Sequence, residues 1–563
     1  MQVRIRISRP APAPTHTLQT EPSFSPVSPD VSPRLVRRPQ APLGGSSLVA
    51  LGILLSRLTG LIRERVIGHF FGVSVVADAF RAAIRIPNLL NNLFGEGVLS
   101  ASFVTVYSKL RALDKAEEAE HVAAAVFGIL SVVCSVLVVA GISLTPILID
   151  LIAPGFKGDE RALTIHIVRI LFPGTGLLVM SAWCLGVLNS HRRFLLSYTA
   201  PVAVNICMIL ALLAYGPHSP QDRLALDLAW AFVLGSALQF LLQVPRVLQF
   251  LPGFRPAFEV TSEHVRSVIR NFGPIFLSRG VVQISAYIDS MIASWLPSGA
   301  VAALGYGQVI SILPISLFSM SVSAAELPAL SSAVGTQDEI ATLLRRRLST
   351  GLRRIAFFII PSAVAFLVLG DVLTAALYQS GHFHHQDAVY VWSVLAGSAV
   401  GLLATSLGRL YSSAFYALLD TRTPLRFAVI RVLLTTGLGF LFALQMPHWL
   451  GIDQKWGIAG LTASAGIAGW VEFALLRHSL GKRIGKTPLS SEFTLKLWFI
   501  AFLAAALCYS IKNLLGSLGP AHPLFLAAIV LPVYGAGYFG GTLLAGVKES
   551  RTTLDSVLGR LRV

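Results

Sequence analysis

Ionisable side chains are placed within the first two long apolar segments of the sequence, near residues 47–70 and 77–110. The first segment holds Arg57, Arg63, Glu64 and Arg65, and the second holds Asp78, Arg81, Arg85, Asn88, Asn91, Asn92 and Glu96. At about 100° per helical residue, Arg81, Arg85, Asn92 and Glu96 fall within about 60° of Asp78, so they form one polar stripe. A charge at the centre of a bilayer costs roughly 2.5–3.5 kcal/mol on insertion scales. The stripe is therefore expected to face a water-filled cavity or paired partners, and not lipid.

The mixed signs of these residues predict two kinds of chemistry. Arg57 and Glu64 are seven residues apart and share a helix face, so part of the set is expected to form ion pairs between helices. Arginines beyond those pairs are suited to an anion, because a guanidinium can hold a phosphate with two parallel hydrogen bonds. For any single arginine, structural pairing and direct contact with a cargo both stay open.

The elements that must position these side chains are membrane helices. The chain has 563 residues, of which 54% are hydrophobic and only 13% charged. Apolar runs near twenty residues long recur along the whole chain and predict about fourteen spans. The runs are continuous and not alternating, which favours helices over a β-barrel. The predicted fold class is an all-α polytopic membrane protein.

Two faint repeats predict two pseudo-symmetric lobes of six helices each, followed by two further helices. Leu55-Ser56-Arg57 opens the first span and Leu277-Ser278-Arg279 the seventh, and basic turns near Arg192 and Arg422 hold matching places. The predicted domains are a disordered cytoplasmic tail at 1–45, a first lobe at 46–250, a second lobe at 265–480, two helices at 490–547 and a cytoplasmic tail at 548–563.

The distribution of basic residues predicts the orientation. Lys and Arg are concentrated in the loops predicted to be cytoplasmic, including Arg192-Arg193, Arg345-Arg346-Arg347 and Arg353-Arg354. This bias places both termini in the cytoplasm. It also accounts for the net charge of +17 without a nucleic-acid partner, and contact with anionic membrane lipids is compatible with it.

No motif for a cofactor, a metal or catalysis rises above the background. The four cysteines lie in apolar runs without metal or redox spacing. His382, His384 and His385 share a short loop that is expected to be solvated. Residues 481–487 imitate a phosphate-binding loop but have three residues between their glycines instead of four. The chain is therefore predicted to be a transporter and not an enzyme, driven by a Na+ or H+ gradient or by the membrane potential.

Several motifs in the polar region resemble those of the MurJ (MviN) family. They are Ser56-Arg57-Leu58-Thr59-Gly60-Leu61-Ile62-Arg63-Glu64, Phe71-Gly72, Ala77-Asp78-Ala79-Phe80, Pro87-Asn88-Leu89-Leu90 and Phe94-Gly95-Glu96-Gly97. The resemblance extends from residue 47 to about 480. It implies an exporter of the MOP type in the bacterial inner membrane, functional as a monomer, that flips lipid II outward by alternating access for peptidoglycan synthesis.

The resemblance also implies roles for individual residues. Arg63 would contact the pyrophosphate, with Arg57, Asp78 and Glu96 as functional polar residues. Asn91 and Val309 stand where the family usually has arginine, and Arg81, Arg85 and Arg279 are candidate substitutes. The full candidate set for substrate binding and transport is Arg57, Arg63, Glu64, Asp78, Arg81, Arg85, Asn88, Glu96 and Arg279.

Asp289 resembles a sodium ligand of some family members. Hard cations need several oxygen ligands, and the eleventh span offers Thr435, Thr436 and Gly439 instead of a carboxylate or amide. Pairing of Asp289 with Arg279 or another buried group is the competing interpretation.

Three alternative functions stay open at this point. The replaced arginines are compatible with a related exporter of another undecaprenyl-linked glycan or amphiphile. A membrane glycosyltransferase would need carboxylates in a sizeable outer loop, and the largest such loop, from Asp150 to Arg161, is short. A membrane scaffold without transport activity is the last.

Overall fold

The computed structural model describes residues 43–94, 99–258, 262–331, 336–487, 489–517 and 522–561. Within these ranges, the side chains of residues 43–50, 100–101, 273–286, 327–329, 331, 337 and 556–561 are not described. The described residues fold into helices, apart from their connections and one isolated β-bridge between Ser380 and Phe383. The predicted all-α fold class is confirmed.

The helices of the first half of the chain make up what we name the first helix group. They are α1 Leu43–Phe71, α2 Val75–Phe94, α3 Thr105–Ala112, α4 Ala116–Ile152, α5 Gly158–Ser190, α6 Phe194–Thr199, α7 Val202–Tyr215 and α8 Gln221–Phe250. A π-helical turn, Ser100–Val104, leads into α3.

The second helix group follows. It contains α9 Glu263–Ala293, α10 Ala300–Pro314, α11 Ser321–Ser331, α12 Gln337–Val368, α13 Gly370–Tyr378, α14 His385–Ala417, α15 Arg422–Phe440, α16 Met446–Leu450 and α17 Gly457–Ile484. Three helices complete the chain, α18 Ser491–Ser517, α19 Pro523–Leu544 and α20 Lys548–Leu561.

Eleven helices among the described residues are long and apolar enough to cross a membrane. Three other long helices, α1, α2 and α9, carry the charged residues singled out in the sequence, and the total of fourteen spans stays a prediction. Large apolar side chains are well exposed on peripheral helices, for example Leu433 (68%) and Phe499 (70%). Such a surface would promote aggregation in water but matches lipid.

Two of the basic loops predicted from the sequence differ from the structure. Arg345-Arg346-Arg347 and Arg353-Arg354 were predicted to lie in loops, whereas both runs belong to α12, which begins at Gln337 and ends at Val368. The start is fixed by a capping box, in which the Thr336 hydroxyl accepts from the Glu339 backbone N–H and the Glu339 carboxylate accepts from the Thr336 N–H. The loop prediction for these arginines was therefore wrong.

The segment predicted as a C-terminal tail contains helix α20. Glu549, in its first turn, accepts two hydrogen bonds from the Arg353 guanidinium of α12, at 2.6 and 3.2 Å. This ion pair ties α20 to the second helix group.

Helix packing defines the two groups. In the first group α5 packs against α2, α4 and α8, and α8 against α7. In the second, α14 packs against α12 and α17. Gly401 of α14 and Gly466 of α17 approach so closely that a Cβ on Gly401 would lie 2.2 Å from the Gly466 Cα. Helix α2 also packs against α9 and α10. The charged helix of the first group thus lies at the junction with the second.

Candidate functional site

Glu64 is shared by two arginines. Its carboxylate is only 5% exposed and accepts from Arg63 Nη2 at 2.6 Å and from Arg81 Nη2. Arg63 and Glu64 lie on α1 and Arg81 lies on α2, so the carboxylate joins the two helices. Two guanidinium groups around one carboxylate leave the cluster with a positive charge.

Arg63 is held on its other side by Asn205 of α7. Arg63 Nη1 donates to Asn205 Oδ1 at 2.9 Å, and Asn205 Nδ2 donates in turn to Thr59 Oγ1 at 3.1 Å. The Nε atom of Arg63 is buried and has no partner among the described residues. Because guanidinium donors are arranged as a planar fork, an anion at this edge would bind Nε and, in place of Glu64, the neighbouring Nη2.

Arg81 reaches from α2 to the second helix group. Its guanidinium carbon lies 4.4 Å from the centre of the Tyr306 ring, a cation–π contact. Tyr306 is fully buried, and its hydroxyl donates to the Gly72 carbonyl at 3.2 Å. Arg81 is therefore paired with Glu64 within the first group and contacts the second group through Tyr306.

Asp78 caps the N-terminus of α10. Its carboxylate, 2% exposed, accepts from the backbone N–H groups of Gly299 at 2.5 Å and Ala302 at 2.6 Å. Gly299 has φ +92°, which favours glycine, and a Cβ there would lie 2.6 Å from Val73. A carboxylate at this position satisfies free N–H groups and complements the helix dipole.

Further hydrogen bonds close the same end of the molecule around the α1–α2 turn. Arg65 Nη1 donates to the Ala376 carbonyl at 2.8 Å, and the His382 N–H donates to the His69 carbonyl at 2.8 Å. The two helix groups are thus joined at this end by hydrogen bonds to backbone atoms and by aromatic contacts.

The predicted stripe of α2 is divided between two environments. Asp78 and Arg81 face the second group, as described above. Asn88 and Asn91 instead line a cavity inside the first group together with Arg63, and Asn92 is exposed. Of the predicted stripe, Asp78 and Arg81 serve the contact with the second group and Asn92 does not, while the cavity uses Asn88 and Asn91, which lie outside the stripe.

The remaining residues predicted for the site are not among the contacts of Glu64 and Asp78 described above. Arg57 is exposed on α1, and the Arg85 backbone carbonyl accepts from the Tyr287 hydroxyl at 2.7 Å. Glu96 lies outside the described residues, as does the side chain of Arg279. The proposed pairing of Asp289 with Arg279 therefore stays a prediction.

Asp289 lies in a partly unsatisfied polar region. Its Oδ1 atom, Ser290 Oγ and Thr435 Oγ1 are buried and have no hydrogen-bond partner among the described residues. Asp289 also interacts electrostatically with Arg85 and Arg431. A search of the described residues finds no group of three His, Cys, Asp or Glu side chains that could hold a metal.

Two loop residues have shifted pKa values. Asp420 accepts from the Thr423 N–H at 3.0 Å and hydroxyl at 2.7 Å and pairs with Arg483, which lowers the pKa of its carboxyl to about 2. Partial burial, with nearby Arg111, lowers the pKa of His191 to about 4. Both residues also contact distant helices, since His191 Nε2 lies 2.9 Å from the Tyr107 hydroxyl and Asp420 pairs with Arg483 at 2.6 Å.

Sequence reasoning did not single out the amide and hydroxyl groups of α5 and α8. Ser181 Oγ accepts from Gln239 Nε2 and donates to Gln243 Oε1, each at 2.9 Å. The available signal was the presence of amides within apolar spans, which is weaker than that of charges.

The fold and the site together define a polytopic membrane transporter, in which buried charges and a polar cavity lie among membrane helices. The model of the family described as "Lipid II flippase MurJ" matches residues 67–526. A lipid II flippase MurJ of Burkholderia cenocepacia is 31% identical over 509 residues, 88% of this chain and 96% of that protein. A "Probable lipid II flippase MurJ" of Rhizobium meliloti is 31% identical over 91% of this chain and 95% of its own length.

Solved structures agree in fold. A lipid II flippase MurJ in an inward closed conformation superposes with a TM-score of 0.73 at 23% identity, covering 88% of this chain and 98% of that one. An inward-facing multidrug transporter of the MATE family, within the MOP superfamily, gives 0.59 at 17% identity over 78% of this chain and 98% of that one. The chain belongs to the MurJ family, and it is a transporter and not an enzyme.

Proposed function

We propose that this chain moves lipid II from the cytoplasmic to the outer leaflet of the bacterial inner membrane by alternating access. The observation that carries the proposal is the Arg63 guanidinium, which is fixed by Glu64 and Asn205, lines a cavity and keeps its Nε without a partner among the described residues. A diphosphate needs such a cation inside the membrane, where a free charge is costly. Membership in a family of lipid II flippases supports this cargo.

The proposed transport cycle begins in the described conformation. With both termini cytoplasmic, as the basic loops predict, the α1–α2 turn faces outward and the outer end is closed by Asp78, Arg65 and Tyr306. A diphosphate reaching Arg63 competes with Glu64 for its N–H donors. Arg81 keeps Glu64 paired during this exchange, so the carboxylate is not left alone in the membrane.

The remaining predicted roles belong to the same proposal. Arg57, Arg85, Glu96 and Arg279 are proposed to contribute to transport without an assigned contact to cargo. The driving force is proposed to be a Na+ or H+ gradient or the membrane potential, with Asp289 as the candidate ion site. We propose that the chain works as a monomer with membrane lipids around it and without nucleic acid or a cofactor.

A second cargo is favoured by one specific observation. Asn91 and Val309, which replace arginines usual in the family, are half-buried and neutral. Fewer charges in the site are compatible with another undecaprenyl-linked glycan or amphiphile.

Depletion of the chain in its host tests the proposed function. The accessibility of lipid II at the outer face of the membrane is expected to fall, with lysis following as wall synthesis stops. Normal exposure of lipid II together with intact viability would remove lipid II as the cargo, and loss of another glycan from the surface would then favour the second candidate.

A further inference from the structure

A cavity of about 420 Å³ lies wholly within the first helix group. Its walls come from α1, α2, α5, α7 and α8, and its volume lies in the range of roughly 300–1,000 Å³ that small-molecule sites occupy. Arg63 contributes to the wall from α1, so the cavity adjoins the proposed diphosphate contact.

The lining of this cavity is polar but nearly uncharged. Half of its fourteen lining residues have amide, hydroxyl or guanidinium groups, among them Asn88, Asn91, Ser181, Asn205 and Gln239. Arg63 is the charged residue of the described lining, and no carboxylate belongs to it. The cavity therefore suits a neutral ligand rich in hydrogen-bonding groups, placed next to an anion.

The amides of the lining differ in whether they are already used. Asn205 is saturated by Arg63 and Thr59, and Gln239 donates to Ser181. The side-chain amides of Asn88 and Asn91 make no hydrogen bond within the described part of the chain. Each can both donate and accept, which is the combination that vicinal hydroxyl groups require.

The packing behind the lining shows that the polar wall is built into the fold. Gln239 is 9% exposed and Ser181 is 1% exposed, and Ser181 is held by Gln243, which is fully buried. Burying three polar side chains in a membrane interior is unfavourable unless their hydrogen bonds are satisfied. Gln243 Nε2 still has no partner among the described residues. A cavity for lipid tails would have been lined by apolar side chains.

We propose that this cavity is a saccharide subsite, in which the sugar attached to the cargo diphosphate is held by the amides of Asn88 and Asn91 and by Gln239 Oε1, which the bond from Gln239 Nε2 to Ser181 leaves available. The inference rests on the proposed function, because the diphosphate at Arg63 places the attached sugar at the cavity. Phe232, which also lines the cavity, offers an apolar surface for the C–H face of a sugar ring. The subsite gives this chain a way to recognise its cargo with fewer arginines.

The test compares two ligands that differ only in the saccharide portion, undecaprenyl diphosphate and a peptide-free lipid II in which the disaccharide alone is attached to the diphosphate. Their affinities for the purified full chain in nanodiscs are measured by native mass spectrometry, for the wild type and for Asn91→Leu and Gln239→Leu. Gln249→Leu, an exposed glutamine on the same helix as Gln239, is the matched control. Binding of undecaprenyl diphosphate also reports whether each variant is folded.

Each subsite variant is expected to bind peptide-free lipid II roughly two- to tenfold more weakly, since one or two hydrogen bonds are lost. Its affinity for undecaprenyl diphosphate, and both affinities of the control, are expected to stay unchanged. Equal losses for both ligands, or no loss for either, would overturn the subsite while leaving the proposed function intact. A wild-type chain that binds neither ligand would instead remove the proposed function, and the subsite with it.

Discussion

Helices α2 and α10 hold the second place in their respective helix groups and pack against each other, but their contributions to the contact are opposite in kind. Helix α2 supplies charges, Asp78 and Arg81. Helix α10 supplies backbone N–H groups and the ring of Tyr306. The contact therefore joins ions to neutral dipoles, and not cations to anions.

This difference bears on how the two groups can separate. If α10 moved away, Arg81 would keep its ion pair with Glu64, because both residues belong to the first group. Separating an ion pair buried in the membrane leaves two uncompensated charges, which is strongly unfavourable. Losing a cation–π contact and two hydrogen bonds costs less free energy than separating the ion pair, because water can take the place of the lost hydrogen-bond partners. The charge distribution thus permits opening without separating an ion pair, while the Asp78 carboxylate exchanges its two N–H donors for water.

Ion pairs that involve helices of the second group have a different position. Arg431 of α15 pairs with Glu472 of α17 at 3.1 Å, and Lys512 of α18 pairs with Asp371 of α13. These pairs join helices away from α2 and do not contribute to the contact between α2 and α10. Three substitutions and a change of pH test whether these charges act as described.

Arg63→Ala is expected to abolish transport, because it removes the guanidinium edge proposed for the diphosphate. The measurement is growth of a strain in which the variant is the only copy of the chain. Arg223→Ala, an exposed arginine at the start of α8, is the control and should support growth. Full activity of Arg63→Ala would contradict the assignment of this residue.

Glu64→Gln is expected to lower the free energy of unfolding by about 3–5 kcal/mol, since Arg63 and Arg81 lose their shared carboxylate. The midpoint of thermal or denaturant unfolding of the purified chain reports this loss. Glu117→Gln, at an exposed site near the start of α4, should leave the midpoint unchanged. Equal midpoints for both variants would show that the shared carboxylate is not needed for stability.

Asp78→Asn is expected to loosen the closed end without unfolding the chain. It replaces a charge-assisted cap on α10 by a neutral one, which weakens the contact by about 1.5–3 kcal/mol. A cysteine introduced at Val73, which packs against Gly299, should then react faster with a membrane-impermeant thiol reagent. Asp222→Asn, exposed on α8, is the control, and an unchanged labelling rate for Asp78→Asn would argue against the cap as part of the closure.

The smallest expected effect is a pH dependence of the stability of the folded chain, which involves His191 and not the charged cluster. Its pKa is about 4 in the folded chain, below the unfolded value of about 6.5. Between these values the unfolded state binds more protons, so stability should fall as the pH falls from about 6.5 to about 4. His191→Gln should make the decline shallower and the exposed His218→Gln should not. The same slope in all three proteins would contradict the shifted pKa.

The sequence predicted what depends on composition and missed what depends on long-range contacts. Hydropathy was enough to indicate helices in a membrane, and charges in apolar runs marked α1 and α2. The partners of those charges could not be read from the chain, because Gly299 and Tyr306 lie more than two hundred residues beyond Asp78 and Arg81. Hydropathy also misplaced the start of α12, since a capping box and not the apolar run fixes it.

The cavity was harder to predict than the charged cluster. Ser181 and Gln239 are single uncharged residues in apolar spans, and such residues are also common as packing or as local hydrogen-bond partners of the backbone. Only the fold brings them beside Asn91 and Arg63. The periodicity of α2 did place Asp78 and Arg81 on one face, but it gave no indication that this face meets α10.

Movement of lipid II by the purified chain is the most direct test of the account. The wild-type chain and Arg63→Ala are reconstituted into separate liposomes with lipid II, and the fraction of lipid II that reaches the opposite leaflet is measured with an imposed membrane potential or ion gradient and without nucleotide. Movement is expected with the wild type, and only the protein-free background is expected with Arg63→Ala. Background movement with the wild type, or equal movement with both proteins, would contradict this expectation.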